Sequence, residues 1–269
     1  MSLIGIVQGR ISESPKNRLQ FFPKNWKKEF EKVKKLNYDF IEFFTERKLN
    51  KKNPIWSKKG INEYIYLAKK HDLKIFNFCD DFIISNSMKK KNTMKYLKNL
   101  IKNLNVLNVK NLILPFYGKS LLTDQNFLEY TKNLKILAEL SSNKVNFLIE
   151  SNISPDSFEI LKKSIKSKKI KFLFDTGNRV NLKRDLYEDF KKFGKNIGHI
   201  HIKDKNTKLQ NVPLNTGLVD FKKFFKILKK CKYNKNFTFE TTRSNNAYVT
   251  AKKNILFIKN FLNKENNVC

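Results

Sequence analysis

No run in this sequence approaches the roughly 20 consecutive apolar residues that a bilayer-spanning helix needs. The opening stretch, Met1-Ser-Leu-Ile-Gly-Ile-Val7, is too short for the core of a signal peptide and is followed at once by Gln8-Gly9-Arg10. It reads as a first strand, and the protein is expected in the cytoplasm, with no membrane partner. Cysteine is scarce: Cys79, Cys231 and Cys269 form no CxxC pair and no regular framework. That excludes a disulfide scaffold and suits a reducing compartment. Nothing in the sequence marks any of the three as a nucleophile, so they read as structural thiols. Also missing is a GxGxxG after the first strand, the fingerprint of a dinucleotide-binding open sheet.

Positive charge is abundant. The net charge is +32, yet arginine accounts for only Arg10, Arg18, Arg47, Arg179, Arg184 and Arg243, and the other basic residues are lysine. The lysines are spread over nearly every predicted helix instead of forming one block. Together with abundant Asn, Ile and Phe, all encoded by A/T-rich codons, they read as solvated helix faces under a mutational bias. A nucleic-acid partner is therefore not expected. The same charge can steer anionic small molecules towards a site.

β-rich runs occur at Leu3–Val7, Phe40–Phe44, Lys74–Phe78, Asn111–Pro115, Asn146–Glu150, Lys171–Asp175, Gly198–Ile202 and Asn236–Glu240. Stripes of helical period separate them. They include Trp26/Phe30/Val33, Ile61/Tyr64/Ile65/Ala68, Met94/Leu97/Ile101/Leu104 and Phe221/Phe224/Phe225/Leu228. Ser154-Pro155-Asp156 and Val219-Asp220 carry helix-start chemistry. Strands alternating with helices imply a parallel sheet. Eight such units imply closure into a (β/α)8 TIM barrel, read as a single domain spanning residues 1–269.

In such a barrel the chemistry gathers at the C-terminal strand ends. The fifth strand ends in Glu150, the sixth in Asp175 and the eighth in Glu240, and the seventh carries His199-Ile-His201. Side chains alternate across a strand. Phe147, Ile149, Phe172, Phe174, Phe237 and Phe239 suit the helix-packed face, which turns the three acids into the barrel mouth. His199 and His201 both face inward, and His201, nearer the strand end, is the better ligand. Carboxylates converging with an imidazole bury uncompensated charge. One divalent metal ion, Mn, Mg, Co or Zn, resolves this, and Glu150, Asp175, His201 and Glu240 are its candidate ligands. Around them, Gln8, Arg10, Glu42, Asn178, His199, Lys203 and Arg243 are candidate substrate-binding residues. Where lysine is the default cation, arginine at 10 and 243 points to a need for a planar donor fork. Cys79-Asp-Asp81 is placed at the mouth without a role.

These residues resemble the xylose isomerase-like barrels, which include sugar-phosphate isomerases and epimerases and the endonuclease IV type of DNA-repair enzyme. His201-Ile-Lys-Asp204, with Asn211-Val-Pro-Leu-Asn-Thr-Gly-Leu-Val-Asp-Phe221 after it, is similar to the corresponding segment of the pentulose-5-phosphate 3-epimerases. So are Asp175-Thr-Gly-Asn178 and Phe239-Glu-Thr-Thr-Arg243. Position 178 is asparagine where many free-ketose 3-epimerases carry histidine, and Asn215 and Thr216 stand where the family commonly has Gly and Glu. The resemblance implies a metal role for Glu150, Asp175, His201 and Glu240. It also implies an isomerase acting on a small sugar or sugar phosphate, by ketose 3-epimerisation through a metal-stabilised enediolate with Glu150 and Glu240 as the acid/base pair. A metal-dependent dehydratase or keto-acid isomerase is the alternative, and assembly as a homo-oligomer is open. The endonuclease IV type relies on a histidine-rich three-metal cluster, which His71, His199 and His201 cannot fill.

Overall fold

The alternation of apolar strand runs and amphipathic helices produces a closed parallel barrel. The computed structural model describes residues 2–13, 18–141, 145–182 and 184–263; Cys269 lies outside them. The strands are β1 (Ile4–Val7), β2 (Phe40–Thr45), β3 (Asn77–Asp80), β4 (Asn111–Pro115), β5 (Asn146–Glu150), β6 (Ile170–Asp175), β7 (Ile197–Ile202), β8 (Asp204–Lys205), β9 (Asn211–Val212) and β10 (Phe237–Phe239). Around the barrel their order is β1-β10-β7-β6-β5-β4-β3-β2, and β8 and β9 form a small antiparallel pair in the loop after β7. Because β1 pairs with β10, strands from both ends of the chain share one barrel.

The helices are α1 (Trp26–Lys35), α2 (Lys58–Lys70), α3 (Phe82–Ser85), α4 (Lys91–Leu107), α5 (Thr131–Leu140), α6 (Pro155–Ile165), α7 (Thr176–Val180), α8 (Leu186–Phe193), α9 (Phe221–Lys230) and α10 (Ala247–Asn263). The expected start signals work as caps. Ser154 Oγ accepts from the Ser157 amide at 3.2 Å, and Asp220 Oδ1 from the Lys223 amide at 2.9 Å. Each satisfies an amide with no partner inside its helix.

Two apolar layers follow from strand alternation. Val7, Phe44, Cys79, Ile113, Leu148 and Leu173 fill the barrel interior. The opposite faces, with residues such as Phe43, Phe147, Phe172, Phe174 and Phe239, pack against the helices. Phe172 stacks on Phe193 at 3.9 Å between ring centroids, tying β6 to α8. Where β1 meets β2 only glycine fits: a Cβ on Gly5 would lie 2.1 Å from the Phe40 ring.

The structure corrects three sequence expectations. The third strand is Asn77–Asp80, not Lys74–Phe78, and Lys74 contributes only an isolated bridge to Phe40. Ile75 and Phe76 are half-buried, whereas Phe78 and Cys79 are buried on opposite faces. In α2, Ile65 is exposed and Leu67 takes its place in the core. The last barrel strand stops at Phe239, although the Glu240 amide still donates to the Ile202 carbonyl.

Candidate metal centre

Strand ends deliver Glu150 from β5, Asp175 from β6 and His201 from β7, and Glu240 follows β10 directly. One potential ligand atom from each of these four lies within 4.8 Å of the others. The register explains the convergence, since His201 is paired with Asp175 on one side and with Thr238 on the other. His201 Nδ1 is 3.2 Å from Glu240 Oε2 and 3.9 Å from Asp175 Oδ2.

Each carboxylate has a different setting. Asp175 caps α7: its Oδ1 accepts from the Asn178 amide at 2.7 Å. Its Oδ2 accepts no hydrogen bond, although Lys203 Nζ lies 2.9 Å away. Glu240 is ringed by cations, with Lys203 Nζ at 2.8 Å, His201 Nδ1 at 3.2 Å and Arg10 Nη2 at 3.2 Å. Burial pushes its pKa up, but Lys203, His201 and Arg10 outweigh that and hold it well below the carboxylate range. Glu150 has no such company. It accepts from Asn178 Nδ2 at 2.7 Å and from the Tyr117 hydroxyl at 3.4 Å. Burial, followed by Asp175 and Glu240, pushes its carboxyl up to about 8.

The cations respond in kind. Burial disfavours charge on Lys203, but Asp175, Glu240 and Glu150 outweigh it and raise its pKa. His201 is likewise raised well above the ordinary imidazole value, with Glu42 and Glu240 overcoming burial. Arg10 is buried, with Nη2 on Gln20 Oε1 at 2.8 Å and on Glu240, while Nε and Nη1 have no partner. The Lys203 stem runs against α7 where only glycine leaves room, since a Cβ on Gly177 would lie 2.9 Å from Lys203 Cγ.

These residues fit a divalent cation. The donor set is mixed carboxylate and imidazole, the ligand atoms converge, and Asp175 Oδ2 is buried without a hydrogen bond. Glu150, Asp175, His201 and Glu240 would hold the ion.

Of the expected substrate-binding residues, the structure brings Arg10, Asn178 and Lys203 to this cluster. Glu42 and His199 lie beneath it, both 0% exposed. Glu42 Oε1 is 2.9 Å from His201 Nε2, and His199 Nε2 is 2.7 Å from Thr238 Oγ1. Gln8 is not brought to the cluster. Val7 faces the barrel interior, so Gln8 turns outward, where it meets Tyr64. Arg243 clamps the segment after β1 instead, donating to the Gly9 and Arg18 carbonyls at 2.8 and 3.0 Å and lying over the Phe21 ring.

Tyr117, Gln20 and Asp81 join the site without having been assigned there a role. Tyr117 stands two residues beyond the end of β4, a strand-end position that could have been read. Asp81 follows β3, and burial raises its carboxyl to about 7, with Glu240 adding to the effect. Gln20 reaches Arg10 only because the chain folds back, and no local pattern reports that.

Among solved structures, this fold is similar to D-psicose 3-epimerase from Clostridium cellulolyticum H10, with TM-score 0.76 and 15% identity over 97% of this chain and 99% of that one. It is also similar to the IolI protein with a bound zinc atom, with TM-score 0.71 and 15% identity over 97% and 96% of the two chains. The probable 3-DHS dehydratase AsbF from Bacillus anthracis gives TM-score 0.72 and 14% identity over 96% and 99%. At these identities the likeness is one of fold. No curated protein matches the sequence. The sequence profile of the xylose isomerase-like TIM barrels matches residues 30–261, and the chain belongs to that family.

Proposed function

We propose that this chain is a divalent-metal-dependent isomerase of sugars or sugar phosphates that epimerises a ketose at carbon 3. The observation that carries this reading is the convergence of Glu150, Asp175, His201 and Glu240 within 4.8 Å. Support for two-sided proton transfer comes from topology: β6 and β7 separate the strands that present Glu150 and Glu240.

A divalent ion held there supplies Lewis-acid polarisation of the substrate carbonyl and the adjacent hydroxyl. The remaining work falls to the chain. One glutamate removes the proton from carbon 3, and the electron pair of the broken C–H bond is delocalised towards the carbonyl as an enediolate. The other glutamate returns a proton to the opposite face. Which acts first depends on the direction of reaction. Lys203 and Arg10 hold Glu240 in place, as Asn178 and Tyr117 hold Glu150. The unpartnered Nε and Nη1 of Arg10 favour a substrate oxygen there, an arrangement that also suits a carboxylated substrate and the dehydratase or keto-acid isomerase reading.

Metal-loaded protein incubated in D2O with ketoses and ketose phosphates tests the proposal. Deuterium at carbon 3 supports epimerisation, whereas label at carbon 1 or 2 replaces it with aldose–ketose isomerisation. No exchange with any ketose would reject both.

A further inference from the structure

Below the metal-ligand candidates, a column of polar side chains crosses the barrel interior where apolar packing is expected. Asn146, Asn111 and Asn77 stand at the starts of β5, β4 and β3. Asn146 Nδ2 donates to Asn111 Oδ1 at 3.1 Å, and Asn111 Nδ2 donates to Asn77 Oδ1 at 2.9 Å. Asn77 Nδ2 then donates to Glu42 Oε2 at 2.9 Å. Every amide in this ladder turns its NH2 towards Glu42. From the other side Thr238 Oγ1 donates to the same Oε2 at 3.0 Å, and His199 Nε2 lies 2.7 Å from that hydroxyl. With its proton committed to Glu42, the Thr238 hydroxyl accepts from His199 Nε2–H.

Oε2 of Glu42 is thus taken by two donors, which orients the carboxylate and leaves Oε1 against His201 Nε2 at 2.9 Å, an ion-pair contact in which neither atom has a hydrogen-bond partner. The opposite ring nitrogen, Nδ1, faces Glu240 and Asp175. We propose that Glu42 is a positioning residue for His201: it holds the proton on Nε2 and presents Nδ1 as the ligand atom, and the asparagine ladder and Thr238 hold Glu42. This rests on the metal site proposed above. The physical reason is general: a carboxylate set against one imidazole nitrogen favours the proton there, and the other nitrogen, here Nδ1 beside Glu240, is left for a metal.

Glu42, His199 and His201 also form a three-residue group able to hold a cation. Within it, Glu42 Oε2 is taken by Asn77 and Thr238, and His199 Nε2 by Thr238.

The direction of the ladder makes a carboxylate at 42 specific. A glutamine there must turn its NH2 either against the donors of Asn77 and Thr238 or towards His201 Nε2. The second choice drives the ring proton onto Nδ1 and blocks the ligand atom. We therefore expect Glu42→Gln to weaken zinc binding by about 10- to 100-fold, measured by competition with a chromophoric chelator. A direct reading needs no variant. In full-length protein labelled with 15N-histidine and loaded with 113Cd, the Cd–N coupling should fall on His201 Nδ1, with the proton retained on Nε2, at one ion per chain. Coupling to His201 Nε2, a second ion held by Glu42, or E42Q protein that binds zinc as tightly as wild type would each overturn the inference alone. Wild-type protein that retains no divalent ion overturns the proposed metal site and this inference with it.

Discussion

Asn178 shows how much one side chain carries at this site. Its backbone amide is capped by Asp175 and its side-chain amide donates to Glu150 Oε1 at 2.7 Å. Replacing it with alanine keeps the first bond and removes the second, leaving Glu150 Oε1 with the Tyr117 hydroxyl at 3.4 Å. With Glu150 raised to about 8, the ordinary hydrogen-bond value of about 0.5–1.5 kcal/mol applies, so Asn178→Ala should lower kcat/KM by about 2- to 10-fold in steady-state assays. Unchanged kinetics would remove Asn178 from the site. Strand alternation made Glu150, Asp175, His201 and Glu240 legible in the sequence as one inward-facing set. Depth along the barrel axis was not legible. Glu42 and His199 face inward as expected, but they sit lower than the mouth and meet His201 and Thr238. Gln8 was readable in principle, because an inward Val7 requires an outward residue 8.

At the scale of elements, α1 secures the loop that carries Arg10. Both carboxylate oxygens of Glu29 accept from the Gly9 amide at 3.1 Å, and Oε1 accepts from Ser12 Oγ at 2.6 Å. Burial nevertheless raises its carboxyl to about 7. Between its unfolded value near 4.5 and about 7, the folded state keeps a proton that the unfolded chain has lost, so stability falls as pH rises. Glu29→Gln lacks that dependence. Urea titrations across this window should show wild type losing about 3 kcal/mol relative to the variant. Parallel pH profiles for the two proteins would contradict the assignment. At the β1–β2 seam, Gly5→Ala drives a methyl into the Phe40 ring and should cost about 1–3 kcal/mol in the same assay.

Element type was readable where apolar period and capping agreed, as in α6 and α9. At β3 the type was readable and the bounds were not, because Ile75 and Phe76 look like strand core by composition yet remain half-buried, while the polar Asn77 enters the interior ladder. The Arg243 clamp on Gly9 escaped reading for another reason: it joins loops 234 residues apart.

For the whole molecule, a net charge of +32 surrounds a site rich in carboxylates. Steering by that charge is long-range and screened over about 10 Å at 0.1 M salt. With a ketose phosphate, kcat/KM should therefore fall several-fold as salt rises from about 10 to about 300 mM, while a neutral ketose shows no such trend. Equal salt profiles for the two substrates would confine the lysines to a solvation role.

Metal retention tests the central claim most directly. Equilibrium dialysis followed by elemental mass spectrometry should find one divalent ion per wild-type chain, and sharply weakened retention in Glu150→Gln and Glu240→Gln. Wild-type protein that holds no ion, or variants that hold it as tightly as wild type, would contradict a metal centre built from Glu150, Asp175, His201 and Glu240.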